Sequence, residues 1–173
     1  MITDSEDQPR SPGRVWFAII ESGTHRHGSV ASQPGGVVVQ QLHVPYAVGS
    51  VSDVRHRLVS ELTELRLPGP TVEDVAVIVS ELVGNALRHG RPLEAGDLVV
   101  SWEFAGDRLH LEVADGGPGP EPHPRHPTPD AEGGRGLLLV DTLSGRWGVR
   151  RGARGCVVWV DLRLKVGATR AYA

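Results

Sequence analysis

Hydrophobic residues recur with helical spacing through residues 72–90, VEDVAVIVSELVGNALRHG, where Val72, Val75, Val79, Leu82, Val83 and Ala86 fall on one face. A second stripe of Ile78, Glu81, Asn85, Arg88 and His89 runs beside it. A carboxylate four residues before a carboxamide places the two side chains one above the other on the helix surface. Thr71 followed by Asp74 predicts a capping box at the start of this helix, and Gly90 predicts a left-handed residue at its end. Taken alone, a polar stripe of this kind is the solvated side of an amphipathic helix. The segments downstream change its meaning.

The rest of the pattern is short and regular. Residues 37–44 are β-branched and stop at Pro45, which predicts a first strand. Ser50 and Asp53 predict a cap for a helix carrying Val51, Val54, Leu58, Leu62 and Leu65 at helical spacing, ended by Pro68 and Gly69. Residues 98–104 and 109–114 predict two strands joined at Gly106 and Asp107. Their alternation of Leu109, Leu111 and Val113 with His110 and Glu112 predicts a half-buried pair. Residues 115–134 have no periodicity and many prolines and glycines, the pattern of a long lid or binding loop. A helix over 135–143 and a hairpin of 145–151 with 156–164 complete the series. Strands with helices grouped between them imply an α+β two-layer sandwich, the helices on one face of a mixed, mainly antiparallel sheet.

Composition bounds the rest. Residues 1–36 are rich in Ser, Pro, Gly and charge, which predicts a disordered or weakly ordered N-terminal tail. The VWFAII run within it is the exception and fits an added strand or a partner-binding patch. The predicted domain is residues 37–164, with 165–173 as a short C-terminal tail. A net charge of -3 gives no electrostatic footprint for nucleic acid. The single cysteine, Cys156, excludes an internal disulfide and fits a reducing compartment. No apolar stretch approaches the ~20 residues of a membrane span, and the acidic N-terminus is unlike a secretory signal, so the expected location is the cytoplasm.

Four segments remain in a fixed order: Glu81 to Asn85 on a helix; D-G-G-P-G at 115–119, following a strand; G-R-G-L at 134–137, opening a helix; and Gly155-Cys156, leading into the last strand. Together they resemble the histidine-kinase-like ATPase superfamily, and within it the stand-alone ATP-binding proteins of the anti-sigma-factor serine kinase type. The resemblance covers roughly residues 37–164.

The resemblance implies a site. Asp115 corresponds to the adenine-reading aspartate, with Gly117 and Gly119 passing beneath the nucleotide. Gly134, Arg135, Gly136 and Leu137 open a helix whose free amides suit phosphate oxygens. Asn85 corresponds to the ligand of a Mg²⁺ ion bridging the triphosphate, and Glu81 to the acceptor of the attacking hydroxyl's proton. Two residues depart from the family pattern. Gly84 replaces a hydroxyl or small side chain inside a helix, and Cys156 replaces a threonine, a stronger hydrogen-bond partner than a thiol. With ATP and Mg²⁺ as cofactors, the resemblance implies a protein serine/threonine kinase that phosphorylates an antagonist protein and sequesters a sigma factor, with a homodimer by likeness. A non-catalytic ATP-dependent binding module and a simple ATPase are the competing readings.

Overall fold

The computed structural model describes residues 31–33, 37–117, 135–152 and 155–164. The VWFAII run, residues 118–134 of the expected lid with Gly119 and Gly134, and the C-terminal tail lie outside the described residues.

Six strands, β1 (Ala31–Gln33), β2 (Val37–Pro45), β3 (Asp97–Ala105), β4 (Arg108–Asp115), β5 (Arg146–Gly152) and β6 (Gly155–Arg163), form one sheet in the order β1-β2-β3-β4-β6-β5. Every pairing is antiparallel. Strand β1 falls within the segment expected as tail and pairs with the start of β2. Helices α1 (Gly49–Glu64), α2 (Gly69–His89) and α3 (Arg135–Leu143) complete the described residues. The α+β sandwich is therefore the fold. In the β3–β4 turn Gly106 takes φ 62°, a conformation that an L side chain resists.

Helix ends depart from the expected caps. Helix α1 begins with Val48 as its N-cap and no side-chain cap; the Ser50 hydroxyl instead donates to the Pro45 carbonyl at 2.7 Å, tying the first turn to the end of β2. Its C-terminus closes by two backbone bonds, Arg66 to Thr63 and Leu67 to Leu62, with Arg66 at φ 55°. Helix α2 starts three residues earlier than the Thr71–Asp74 pattern predicted. Pro68 is the cap residue, Pro70 sits in the first turn where a missing N–H costs little, and Thr71 is buried. At the other end Gly90 is extended (φ -88°, ψ -161°), not left-handed.

The core lies between the helices and one face of the sheet. Val54, Leu58 and Leu62 of α1, and Val75, Val79, Leu82 and Val83 of α2, meet Val100 and Trp102 of β3 and Leu111 and Val113 of β4. Ile78, expected on the polar stripe, is fully buried in this core. The Trp102 indole donates to Glu61 at 2.8 Å, satisfying its one polar atom and fastening α1 to β3.

The opposite face of β4 is not the solvated side that its alternation predicted. His110 and Glu112 are 8% and 3% exposed, because β4 is an inner strand and side chains of β5 and β6 lie over this face. The His110 ring bonds Asp161 at 2.5 Å and Glu112 at 2.7 Å, Arg150 pairs with Glu112, and Trp159 stacks on the ring at 6.2 Å. Burial by itself lowers the His110 pKa, but the hydrogen bonds and charges of Glu112 and Asp161 outweigh it and raise the value.

A raised folded-state pKa means that His110 contributes stability fully present below its ordinary value of about 6.5 and lost as pH rises through the folded value. Urea unfolding across this range is expected to show a midpoint falling with rising pH, and His110→Gln should flatten that slope. An unchanged slope in the variant would exclude His110 as its source.

Candidate functional site

Asp115 is the last residue of β4 and is only 5% exposed. Its Oδ1 accepts the Gly117 amide at 2.7 Å, and the Arg91 amide bonds the same carboxylate. Burial pushes its pKa up, opposed only in part by these two amides. Glycines clear the space around it. A Cβ on Gly90 would stand 2.6 Å from the Asp115 carboxyl carbon, and one on Gly155 would collide with the Asp115 carbonyl. The carboxylate thus sits against the C-terminal end of α2 because no side chain intervenes.

Two neighbours complete this end. Cys156 faces Asp115 across the β4–β6 register and is buried, with its thiol pKa raised by burial and then by the Asp115 charge. Tyr46, after the end of β2, places its hydroxyl 3.1, 2.9 and 3.0 Å from the carbonyls of Ala86, Leu87 and Gly90, donating to the last turn of α2. No periodicity marks Tyr46 in the sequence; a lone aromatic after a strand-ending proline was the sole signal.

Glu81 and Asn85 lie on the flank of α2 that faces the start of α3. A Cβ on Gly136 would collide with the Glu81 carboxylate, so Gly136 is the residue that lets the acid reach the first turn of α3. One nitrogen of the Arg88 guanidinium donates to Asn85 Oδ1 at 3.0 Å and lies 3.6 Å from Glu81 Oε2. Asn85 Nδ2 is buried with no hydrogen-bond partner. From Glu81 to Gly90 the helical rise is about 13 Å, so Glu81 and Asp115 stand at opposite ends of this stretch of α2.

The expected site residues therefore divide as follows. Glu81, Asn85 and Gly136 come together at one end; Asp115, Gly117 and Cys156 come together at the other. Leu137 is half-buried in the first turn of α3. The backbone of Arg135 opens that helix. Gly119 and Gly134 lie outside the described residues, as does the side chain of Arg135. Gly116 and Gly155, which lie within the expected D-G-G-P-G and Gly155-Cys156 segments, shape the Asp115 end together with Gly90 and Tyr46, which pattern had not placed there. Among the described residues no group of three or more His, Cys, Asp or Glu side chains could hold a metal ion, and no helix is long and apolar enough to cross a membrane.

Residues 44–162 match the histidine kinase-like ATPase domain family. Among solved structures, the RsbU and RsbW domains of Rv1364c from Mycobacterium tuberculosis are similar at 23% identity and a TM-score of 0.57, covering 78% of this chain and 33% of that one. This chain thus spans about a third of that relative's length. The histidine kinase domain of the blue-light activated histidine kinase EL346 from Erythrobacter litoralis is similar at 24% identity and a TM-score of 0.41, over 66% of this chain and 61% of that one. No curated protein matches the sequence.

Two substitutions test the packing at Asp115. Gly90→Ala forces its methyl group against Ala86 and Asp115 and should cost about 1–3 kcal/mol in urea unfolding. Asp115→Asn removes a buried charge and should raise the urea midpoint at neutral pH. The difference should shrink as pH falls toward the ordinary aspartate range of about 3.9, where the wild-type carboxyl is also neutral. A midpoint lowered at neutral pH would overturn the dominance of burial.

Proposed function

The chain belongs to the histidine kinase-like ATPase domain family, and from that premise we propose that it is an ATP-dependent regulatory kinase of the anti-sigma-factor type. In this reading it transfers the γ-phosphoryl group to a serine of an antagonist protein and sequesters a sigma factor. One observation carries the site assignment. The carboxylate of Glu81 and the carboxamide oxygen of Asn85 gather on a single cationic nitrogen beside the first turn of α3. Two oxygens that already gather positive charge next to a helix N-terminus suit a metal-chelated triphosphate.

The residues take these roles. Asp115, fixed by the Gly117 amide, accepts a hydrogen bond from the exocyclic amine of adenine. The glycines around it allow the backbone to pass close to the base. The opening turn of α3, with Arg135, Gly136 and Leu137, offers amides to phosphate oxygens, and Gly134 precedes it in the sequence. Asn85 would hold magnesium through its side-chain oxygen, since a small hard cation that keeps most of its waters needs few protein ligands. Magnesium, when bound, neutralises charge on the β- and γ-phosphates. Glu81 accepts the proton of the attacking serine hydroxyl as its oxygen bonds the γ-phosphorus and the bond to ADP breaks.

Cys156 favours a second reading. Its buried thiol stands beside Asp115 where the family resemblance places a hydroxyl, and weaker hydrogen bonding there fits a module in which ATP orders a binding surface without phosphoryl transfer.

Calorimetric titration of ATP with and without magnesium should show Asn85→Ala losing at least tenfold in affinity and most of its metal dependence, with stability little changed because the buried amide nitrogen has no partner and the one bond lost comes from the exposed Arg88. Unchanged metal dependence would show the site to be misplaced. Labelled ATP incubated with candidate antagonist proteins separates the two readings. Serine phosphate that vanishes in Glu81→Ala supports the kinase; no transfer to any antagonist, with partner binding retained in that variant, supports the binding module.

A further inference from the structure

The Arg88 guanidinium lies back across its own helix. Its Nη2 donates to Asn85 Oδ1 at 3.0 Å and stands 3.6 Å from Glu81 Oε2. The path to that position crosses Gly84. A Cβ there would come within 3.1 Å of Nη1 and 3.5 Å of both Cζ and Nη2, and these Arg88 atoms are the three nearest heavy atoms it would meet. Gly84 is otherwise an unfavourable choice, since a glycine inside a helix costs about 1 kcal/mol against alanine. Its conformation does not call for glycine either, for it lies in regular helix and its φ is not positive. The mid-helix glycine and the folded-back arginine therefore share one explanation.

We propose that Arg88 is a resident counter-cation for the Glu81–Asn85 oxygen pair, seated in the notch at Gly84, and that it must leave before a metal–nucleotide can use those oxygens. The latch rests on the reading of Asn85 as the metal-holding residue. Its physics is simple. With no metal, two oxygens on one flank share a guanidinium nitrogen, which satisfies Asn85 Oδ1 and screens the carboxylate. A divalent cation held by Asn85 Oδ1 would place like charges together, so the arginine swings out and leaves the Glu81 carboxylate free to take a proton. Arg88 is 57% exposed, so its departure exposes no buried charge, and the contact is worth what a partly screened surface pair is worth. The latch therefore sets a threshold: it raises the magnesium concentration at which nucleotide binds, by roughly two- to fivefold.

The test is binding of a fluorescent ATP analogue to the full chain across magnesium concentrations, which needs no phosphoryl transfer. Arg88→Ala should lower the magnesium midpoint two- to fivefold. Gly84→Ala keeps the arginine and its charge but fills the notch, so it should lower the midpoint in the same direction while raising thermal stability through better helix propensity. A midpoint lowered in Arg88→Ala but unchanged in Gly84→Ala would reduce Arg88 to a distant repelling charge and overturn the latch. A raised midpoint in Arg88→Ala would make the arginine a contact to the bound phosphates and overturn it as well, leaving Asn85 in place. If Asn85→Ala keeps the wild-type magnesium dependence, the metal assignment fails first and the latch falls with it.

Discussion

One constraint governs the arrangement: the helical phase of α2. Val75, Ile78, Val79, Leu82 and Val83 are buried against the sheet and α1, and their burial fixes the rotation of the helix about its axis. Glu81 and Asn85, offset from that face by less than half a turn, then have only one direction to point, toward the beginning of α3. The core and the polar site are two faces of the same rigid element. A site held this way needs no support of its own, because turning α2 to misplace Asn85 would also lift five apolar side chains from the interior.

The second determinant is close approach. At the Asp115 end, Gly90 and Gly155 let a helix end and a strand start meet the carboxylate; at the other, Gly136 lets Glu81 reach the first turn of α3; between them Gly84 accommodates Arg88. None of these four has a positive φ. They are glycines because of what stands next to them, not because of the backbone angles they adopt. At three of them, Gly90, Gly136 and Gly155, elements far apart in the chain meet. Tyr46 adds a bond at the Asp115 end by holding the carbonyl end of α2 beside it.

The two faces of the sheet handle charge differently. Toward the helices the acid at the strand end is buried, carries an elevated pKa and is held by backbone amides alone. On the far face, His110, Glu112, Asp161 and Arg150 compensate one another, and the imidazole is favoured in its charged form. Uncompensated burial of an ionisable group destabilises a fold and is retained where a ligand can make use of it. The compensated cluster contributes to the sheet itself.

Periodicity was enough to find all three described helices, the hairpins and the pairing of a carboxylate with a carboxamide, because core burial imposes a repeat of 3.6 or 2 on any chain that folds this way. It set Glu81 and Asn85 one turn apart on one flank of a helix, because that spacing is a local property, while Asp115 was named by the family resemblance and not by period. What it misread were contacts made at a distance. Thr71 and Ser50 have the chemistry of caps, but tertiary packing and the prolines beside them moved the helix starts and buried both hydroxyl-bearing residues. Gly90 has the position of a left-handed cap, but the nearness of Asp115, 25 residues away, gives it its reason. His110 and Glu112 alternate as solvent-facing residues do, yet the side chains of Trp159, Asp161 and Arg150 from the adjoining strands cover them. Local sequence determines which groups lie on which face of each element; which of those faces meets another, and so which glycine is a notch and which acid is buried, is decided only when segments remote in sequence pack together.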